Sequence, residues 1–346
     1  MKSLLLGCVD SDWQRAYRMA PLSVGDLLER LAIPLDRLPF EVDPDSPFAV
    51  KVPPHFLSLI RPGDPLDPLL LQVLARAHER LTSEAEDPDP LREAGSFKRK
   101  GVIQKYPGRA LVLLSGVCAI HCRYCFRRHY DYGSVALGAS EVDDLVSLLE
   151  ADATIREVIL SGGDPLSVSD EKLAALLLRL SAISSLRSIR IHTRTLSAVP
   201  ERTTQGLLTA LTGCAKPVTI VTHINHPREI DPIGRDSLRR VRQAGVLLLN
   251  QSALLRHVND DAETLAELSW TLHGAGVVPY YLNMLDEVAG SSHFAVTLGE
   301  AAALQEALRV TLPGYLVPRF VKETPGARFK VPLDRLGSGS EYQLEQ

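Results

Sequence analysis

Residues 110–125, with the sequence ALVLLSGVCAIHCRYC, join an apolar run to three closely spaced cysteines. The apolar part, 110–117, is typical of a strand that is buried on both faces of a parallel sheet. A stretch with the apolar spacing of a helix follows at 141–151. A buried strand followed by an amphipathic helix is the unit from which α/β folds are built.

The same strand–helix unit recurs five more times along the chain. The further pairs are predicted at 157–161 with 171–183, 188–192 with 205–211, 218–223 with 236–244, 246–250 with 262–274, and 277–282 with 300–310. Six such units predict a parallel sheet that is covered by helices on its outside. Periodicity alone leaves open whether this sheet closes as a barrel or lies open and doubly wound.

Polar residues follow each of the six predicted strands. They are Cys118, then Ser161, Gly162, Gly163 and Asp164, then Thr193 and Arg194, then His223, Asn225 and His226, then Gln251 and Ser252, and finally Asp286. Ligands of α/β folds bind beyond the carboxyl ends of the parallel strands. We therefore expect a binding site at this edge of the sheet.

The composition is that of an ordinary globular protein, with 346 residues of which 45% are hydrophobic and 23% charged. No stretch approaches the roughly 18 consecutive apolar residues of a membrane-spanning helix, and the apolar run at 4–9 is too short for a secretory signal. The net charge of −4 argues against a broad nucleic-acid-binding face. We therefore expect neither a membrane nor a nucleic acid as a partner.

The first hundred residues differ from the rest because prolines separate them into short segments. Helices are predicted at 26–33 and 69–81, and no catalytic pattern is recognisable there. We interpret 1–100 as a mostly helical flanking region, 101–335 as the domain of strand–helix units, and 336–346 as a short C-terminal tail.

Three of the five cysteines, Cys118, Cys122 and Cys125, are spaced C-x-x-x-C-x-x-C, whereas Cys8 and Cys214 stand alone. Thiolates bind soft or borderline metals, and so short a loop can bring three sulfurs to one centre. A four-iron cluster held by three cysteines has one iron without a cysteine, which is an open site for a substrate. Cys8 and Cys214 are interpreted as bystanders.

Two other interpretations of the three cysteines stay open at this point. A structural zinc ion could take His121 or His129 as a further ligand, although such sites usually pair two two-cysteine arms. Alternatively, the cysteines are buried and bind nothing, which leaves their spacing and their position after a strand unexplained.

The run CAIHCRYCFRR, 118–128, resembles the lysine 2,3-aminomutase family of the radical S-adenosylmethionine superfamily, and most closely the branch that makes β-lysine for elongation factor P. Further matching segments occur in family order at 105–109, 161–166, 223–227, 249–252, 279–282 and 314–318. The similarity extends from about residue 50 to about 335. It implies an α/β fold, an incomplete (β/α)6 radical-SAM barrel with a mostly helical N-terminal region.

The resemblance also implies three cofactors and the residues that hold them. A [4Fe–4S] cluster would be bound by Cys118, Cys122 and Cys125, and S-adenosylmethionine by Gly162, Gly163, Asp164, His223 and Gln251. Pyridoxal phosphate would form a Schiff base with Lys330, its phosphate bound by Lys105 and Arg109. Without the resemblance, 162–164 would be a tight turn with an aspartate helix cap, Lys330 a surface lysine, and Lys105 and Arg109 part of a basic patch with 98–100.

For the substrate, the resemblance implies that Arg127 pairs with the carboxylate of lysine, while Asp286 and Glu323 bind its ε-ammonium group. Glu323 stands where the enzymes that act on free lysine usually carry aspartate. Residues 327–329 replace the glycine run that usually precedes the Schiff-base lysine. The chain also ends soon after Lys330, without the cysteine-bearing extension of some free-lysine enzymes. These departures favour the elongation-factor branch.

Three functions follow as hypotheses. The first is isomerisation of L-α-lysine to β-lysine, which a partner ligase attaches to elongation factor P; the second is the same reaction on free lysine in metabolism. The third is a non-enzymatic iron–sulfur or zinc-binding protein. For the enzymes we expect a flavodoxin- or ferredoxin-like protein as reductant and a cytoplasmic location, because an oxygen-sensitive cluster needs a reducing compartment.

Overall fold

One ten-stranded sheet runs through the computed structural model, and its strands lie side by side in sequence order. The model describes residues 12–81, 86–132, 137 and 141–335. The strands are β1 (Phe97–Arg99), β2 (Val102–Ile103), β3 (Arg109–Ser115), β4 (Glu157–Gly162), β5 (Ser188–Thr193), β6 (Val218–Thr222), β7 (Leu247–Ala253), β8 (Val278–Asn283), β9 (Arg319–Lys322) and β10 (Val331–Pro332).

The seven strands β3 to β9 are parallel to their neighbours, whereas β1, β2 and β10 pair in antiparallel fashion at the two ends of the sheet. In the described residues β1 and β10 form the two edges, so the sheet does not close into a full barrel. The predicted incomplete barrel and its six strands, β3 to β8, are confirmed. The sequence did not reveal β9 because its four residues form no apolar run long enough to stand out.

The described helices include a long helix after each of the strands β3 to β8. The bounds are α1 (Asp12–Met19), α2 (Val24–Arg30), α3 (Pro54–Leu59), α4 (Pro68–Leu71), α5 (Glu141–Ala151), α6 (Asp170–Ala182), α7 (Thr195–Ala198), α8 (Gln205–Thr212), α9 (Pro232–Gln243), α10 (Ala262–Gly274) and α11 (Leu298–Thr311). The six predicted barrel helices correspond to α5, α6, α8, α9, α10 and α11. The prediction started α9 four residues late, because Asp231 caps the helix at the Gly234 amide and Pro232 occupies its first position.

The two faces of the parallel sheet have different chemistry. Strand β5, with the sequence SIRIHT, alternates between residues that face the covering helices and residues that face the inside of the curved sheet. Its Ile189 and Ile191 are fully buried in the core beneath the helices. Arg190 and His192 lie on the opposite face and are only partly buried. The inner face of β5 is therefore polar, while its outer face is apolar.

The N-terminal region packs against the cysteine loop. Apolar residues of α1 to α4 form one core cluster with Ala119 and Ile120 of that loop. The predicted helix at 26–33 is present as α2, but the predicted helix at 69–81 is wrong. Helix α4 ends at Leu71, and the chain continues to a short 3₁₀ helix at Ala77–Arg80. Beyond the end of α4, the Gln72 side chain forms hydrogen bonds with Arg194, which follows β5, and with Glu229, which follows β6.

The division into 1–100, 101–335 and 336–346 stays a prediction, since residues 336–346 lie outside the described part of the chain. Cys8 also lies outside it. None of the helices in the described residues has the length and apolar content needed to cross a bilayer.

Gly162, the last residue of β4, is a position where only glycine fits. Its φ is +121°, and a Cβ there would lie 2.3 Å from the carbonyl oxygen of Ser115. We expect Gly162→Ala to lower the free energy of unfolding by at least about 2 kcal/mol, because both the backbone strain and the clash must be accommodated. Urea unfolding followed by circular dichroism measures this.

Gly299→Ala is the matched control, because Gly299 lies in helix α11 and no atom lies within 4 Å of its added Cβ. There the substitution is expected to stabilise the protein by about 0.5–1 kcal/mol. Equal stability of Gly162→Ala and the unmodified protein would contradict the backbone argument.

Candidate active site

The three cysteines of the C-x-x-x-C-x-x-C motif lie in the loop after β3 as free thiols that are only partly exposed. Burial raises the pKa of Cys118 well above its usual value, and the neighbouring charges of Cys125, Asp164 and Cys122 raise it further. Burial, with Cys122 next, raises the pKa of Cys125 to about 11. The thiols are thus close enough for the charge of one to raise the pKa of another. A bound cation would lower these pKa values and favour deprotonation.

The described residues contain no group of three or more His, Cys, Asp or Glu side chains that could hold one metal ion. The two histidines considered as zinc ligands are engaged elsewhere. His121 Nδ1 lies 2.8 Å from the carbonyl oxygen of Ala49, and its ring stacks on Phe48 at 4.7 Å. His129 Nε2 lies 2.9 Å from the carbonyl oxygen of Ala289. These contacts do not support a zinc site completed by either histidine.

Arg194 connects the cysteine loop to the N-terminal region. Its Nη1 donates to Cys122 Sγ at 2.7 Å and to the Tyr124 hydroxyl at 2.5 Å. Its Nη2 donates to Gln72 Oε1 at 2.7 Å and to Glu229 Oε2 at 3.1 Å. No functional residue was predicted before residue 101, yet Gln72 belongs to this site. A single glutamine after a helix forms no motif by which it could have been identified.

Gly162 and Gly163 bring the end of β4 against the backbone that leads into the cysteine loop. The amide of Gly163 donates to Ser115 at 2.7 Å, and a Cβ on Gly163 would lie 2.9 Å from backbone atoms of Gly116 and Val117. The absence of side chains at these two positions therefore lets two protein segments approach closely. Binding of S-adenosylmethionine here stays a prediction.

Asp164 ties the ends of β4 and β5 together. Its buried carboxylate accepts hydrogen bonds from the Leu166 amide at 2.9 Å, which is the predicted helix cap, and from the Thr193 hydroxyl at 2.8 Å. It also accepts from the amides of Arg194 at 2.9 Å and Thr195 at 3.1 Å. Through these bonds Asp164 positions Arg194 beside the cysteines.

His223 and Gln251 lie between the cysteine loop and the inner face of the sheet. His223 Nε2 is 2.9 Å from the Tyr124 hydroxyl. Burial, followed by the charge of Arg194, lowers the pKa of His223 to about 3, so its ring is neutral at physiological pH. The Gln251 amide nitrogen lies 3.4 Å from Nδ1 of His192. His192 was not identified from the sequence, although the polar–apolar alternation of β5 marks it.

Lys330 and Glu323 are in direct contact. Lys330 Nζ lies 2.8 Å from Glu323 Oε2 and 3.0 Å from Asn283 Oδ1. The other oxygen of Glu323 accepts from the Tyr106 hydroxyl at 2.5 Å and lies 3.4 Å from Lys105 Nζ. Lys330 is therefore not a solvated surface lysine but one member of a compact charged cluster.

Asp286 lies within the electrostatic reach of the same cluster. Burial raises the pKa of Asp286 to about 6; the positive charge of Lys330 opposes this rise, and the negative charge of Glu323 adds to it. Burial also tends to raise the pKa of Glu323, but Lys330 and Lys105 together hold it at about 2. The two predicted acids are thus neighbours with different proton affinities.

Lys105 and Arg109 flank Tyr106. Lys105 lies 3.4 Å from Glu323 and 3.9 Å from Glu93, whereas the Arg109 guanidinium lies 5.0 Å from the centre of the Tyr106 ring. The basic residues at 98–100 point elsewhere, where two of them pair with helix α5. Lys105 therefore belongs to the charged cluster and not to a surface patch with 98–100.

Arg127 is buried and held by a glutamate from the N-terminal region. Its Nε and Nη2 donate to the two oxygens of Glu93 at 2.7 and 2.9 Å, and its Nη1 donates to the Ser161 hydroxyl at 3.2 Å. In this structure the two-fold contact with a carboxylate is made by Glu93, which was not identified from the sequence. A substrate carboxylate would have to bind Arg127 on the Nη1 side.

Cys214 lies apart from the other three cysteines in the chain's described part. Its sulfur is 3.1 Å from the Ser181 hydroxyl of helix α6, and it packs against the core beneath the helices. This placement agrees with its interpretation as a bystander.

The sequence of this chain is similar to those of known proteins. The model of the Radical SAM superfamily matches residues 112–268. The chain is 42% identical to the L-lysine 2,3-aminomutase of Escherichia coli (strain K12), over 83% of this chain and 84% of that protein. The chain belongs to the L-lysine 2,3-aminomutase family. The family's enzymes are radical SAM isomerases, so the hypothesis of a non-enzymatic binding protein is not supported.

Two further members of the L-lysine 2,3-aminomutase family show how far the similarity extends. The Haemophilus influenzae protein is 39% identical over 92% of this chain and 94% of its own length. The Clostridium subterminale protein is 35% identical over 82% of this chain and 68% of its own length. Radical SAM membership implies a [4Fe–4S] cluster and S-adenosylmethionine, and the three motif cysteines are free thiols in this structure.

The raised pKa of Asp286 predicts a pH-dependent stability difference for this aminomutase family member. The folded protein keeps this proton up to about pH 6, whereas the ordinary aspartate value is 3.8. The carboxyl group of Asp286 therefore lowers the free energy of unfolding as the pH rises through that window, and Asp286→Asn removes this effect. We expect the stability of Asp286→Asn relative to the unmodified protein to grow, by up to about 3 kcal/mol, between about pH 4 and about pH 7.

Urea unfolding of both proteins at several pH values in this window measures that difference. Asp236→Asn on the exposed face of helix α9 controls for a general effect of removing a carboxyl group. A stability difference for Asp286→Asn that does not change with pH would contradict the assignment.

Proposed function

We propose that this chain converts L-α-lysine to β-lysine and that the product is attached to elongation factor P. The observation that carries the reaction is the presence, on one curved sheet, of two separate clusters. One is the cysteine triad with Arg194, and the other is Lys330 with Glu323 and Asp286. The polar inner face of the sheet connects them.

The cysteine loop has the features that a cluster needs. Cys118, Cys122 and Cys125 would each bind a different iron, so their sulfurs need not surround one ion. The Arg194 guanidinium, which already donates to Cys122, would offset negative charge on the sulfur. When bound, the cluster and S-adenosylmethionine supply an organic radical, and pyridoxal phosphate supplies a ring that delocalises the unpaired electron.

Charge balance explains how the second cluster could bind both pyridoxal phosphate and a diamine. Lys330 now neutralises Glu323 and acts on Asp286. If Lys330 Nζ were engaged by the cofactor, it would leave its present contact with Glu323. The ε-ammonium of lysine would then replace it as a cation beside Glu323 and Asp286, whose carboxyl groups would accept its hydrogen bonds.

The carboxylate end of the substrate finds its partner nearby. Arg127 is joined to the acidic cluster through Glu93, whose carboxylate lies 3.9 Å from Lys105. Because Glu93 fixes the Nε side of the guanidinium, Nη1 is the donor that remains beside Ser161 on the inner face. An amino acid with a terminal ammonium therefore fits between Arg127 and the pair Asp286 and Glu323. Lys105 and Arg109 would hold the cofactor phosphate.

The assignment to elongation factor P rests on features of the sequence. Glu323 has a longer side chain than the aspartate of free-lysine enzymes, and residues 327–329 lack the usual glycines. Both differences lie next to Lys330, in the segment that would hold the cofactor. We further propose that a flavodoxin- or ferredoxin-like protein supplies the electron and that a ligase transfers the product.

Two variants should separate the two cofactor sites. After anaerobic reconstitution, Cys122→Ala is expected to lose most of its bound iron but to keep the visible absorbance of bound pyridoxal phosphate. Lys330→Ala is expected to do the reverse, because the cofactor's covalent partner is missing while the cysteine loop is intact. Iron analysis and absorption spectra check both expectations.

Matched controls are Cys214→Ala, whose thiol contacts Ser181 and not the cysteine loop, and Lys172→Ala on the exposed start of helix α6. Both should behave like the unmodified protein. Retention of the cofactor absorbance by Lys330→Ala, or of full iron content by Cys122→Ala, would refute the respective site.

Deletion of the gene in its native host tests the assignment to elongation factor P. We expect mass spectrometry of purified elongation factor P to show loss of the β-lysyl modification, and external β-lysine to restore it. Unchanged modification together with altered lysine breakdown would instead favour the metabolic function. A copy carrying Lys330→Ala should fail to complement the deletion, whereas Lys172→Ala should complement it.

A further inference from the structure

His192 lies on the inner face of the sheet between the two clusters. It pairs in register with Val221 of β6, and Ile191 before it pairs with Leu160 of β4, so the next residue of β4, Ser161, is its neighbour on that side. Ser161 is the residue that contacts Arg127. On the other side, the Gln251 amide nitrogen lies 3.4 Å from Nδ1 of His192.

The second ring nitrogen of His192 is buried and unpaired. Nε2 is inaccessible to solvent and has no hydrogen-bond partner among the described residues. Buried polar atoms are nearly always paired, so a group of this kind that faces a binding site indicates a missing ligand. If the Gln251 amide donates to Nδ1, the proton of the neutral ring lies on Nε2, and Nε2 is a hydrogen-bond donor.

The charges around His192 indicate which kind of ligand atom this donor would meet. Burial lowers the pKa of His192 well below its usual value, and the positive charges of Arg190, Lys330 and Arg127 lower it further. The ring is therefore neutral at physiological pH. A neutral N–H donor needs an acceptor atom in front of it, which excludes an ammonium group. Arg190, Lys330 and Arg127 each also pair with a glutamate, and their positive charge near the ring favours an anionic oxygen as that acceptor.

We propose that His192 donates a hydrogen bond from Nε2 to an anionic oxygen of the substrate or cofactor held between Arg127 and Lys330. This inference rests on the proposed function and adds a ligand-binding residue to it. The oxygen belongs either to the substrate carboxylate or to the ring hydroxyl of pyridoxal phosphate. Both sources share the same chemistry, and a substrate without a carboxylate tells them apart.

The test uses two variants of His192 whose side chains differ in length. In His192→Asn the amide can replace Nδ1 but does not extend to the position of Nε2, whereas His192→Gln restores a donor near that position. His273→Ala, on the exposed side of helix α10, is the matched control. Each full-length protein, reconstituted with iron and sulfide but without pyridoxal phosphate, is titrated first with pyridoxal phosphate. It is then titrated with lysine or with 1,5-diaminopentane, which is lysine without its carboxylate, while the cofactor absorbance is followed.

We expect His192→Asn to weaken ligand binding about 10- to 100-fold, the range for a hydrogen bond to a charged group, and His192→Gln to recover most of it. Weaker binding of lysine with unchanged binding of 1,5-diaminopentane identifies the substrate carboxylate as the acceptor. Weaker binding of pyridoxal phosphate and of both amines identifies the cofactor oxygen.

Unchanged affinities of His192→Asn for lysine and pyridoxal phosphate would overturn the inference about His192 and leave the proposed function intact. Failure of the unmodified holoenzyme to bind pyridoxal phosphate, or to respond to lysine, would overturn the proposed function and this inference together. His273→Ala should match the unmodified holoenzyme in every titration.

Discussion

Buried arginine–glutamate pairs fix the cysteine loop to the rest of the molecule. Arg123 and Arg128 both pair with Glu79, and Arg127 pairs with Glu93. Arg194, which follows β5 and contacts the loop, pairs with Glu229. Removing one partner of such a pair leaves an uncompensated buried charge, which costs about 3–5 kcal/mol. The loop can therefore hold its thiols only while these partners, two of which come from the N-terminal region, stay in place.

The same principle of charge compensation operates at the other cluster, but there it permits exchange. Arg123 and Glu79 are almost inaccessible to solvent, and further buried contacts hold them, with Arg128 bound to Glu79 and the Phe48 carbonyl oxygen bound to Arg123. Lys330, in contrast, is partly exposed and contacts Glu323 and Asn283. A permanent ion pair suits a scaffold that must not move. Under the proposed function, Lys330 would leave Glu323 and the ammonium group of the substrate would take its place.

The strands and the cysteine motif were predictable because both depend on local sequence. The apolar runs fixed β3 to β8, and the spacing of Cys118, Cys122 and Cys125 identified the loop. The partners of that loop were not predictable, since Glu79 and Glu93 are 44 and 34 residues away from the arginines that they bind. Three arginines in a buried loop imply acidic partners, yet nothing in the sequence indicates which of the many acidic residues these are.

The failed prediction of a helix at 69–81 and the overlooked His192 have a common physical origin. In both places a polar side chain takes part in the inner site, and its own segment does not reveal which partner it has there. Gln72 ends α4 early and bonds to Arg194, and His192 occupies a polar position in the alternating pattern of β5. A radical intermediate must be held in a fixed position. Neutral hydrogen-bond donors on a rigid strand hold it better than mobile charged side chains on the surface. A polar residue on the inner face of a strand, with a buried ring nitrogen that no described residue pairs, is therefore a residue to which a ligand should be assigned first.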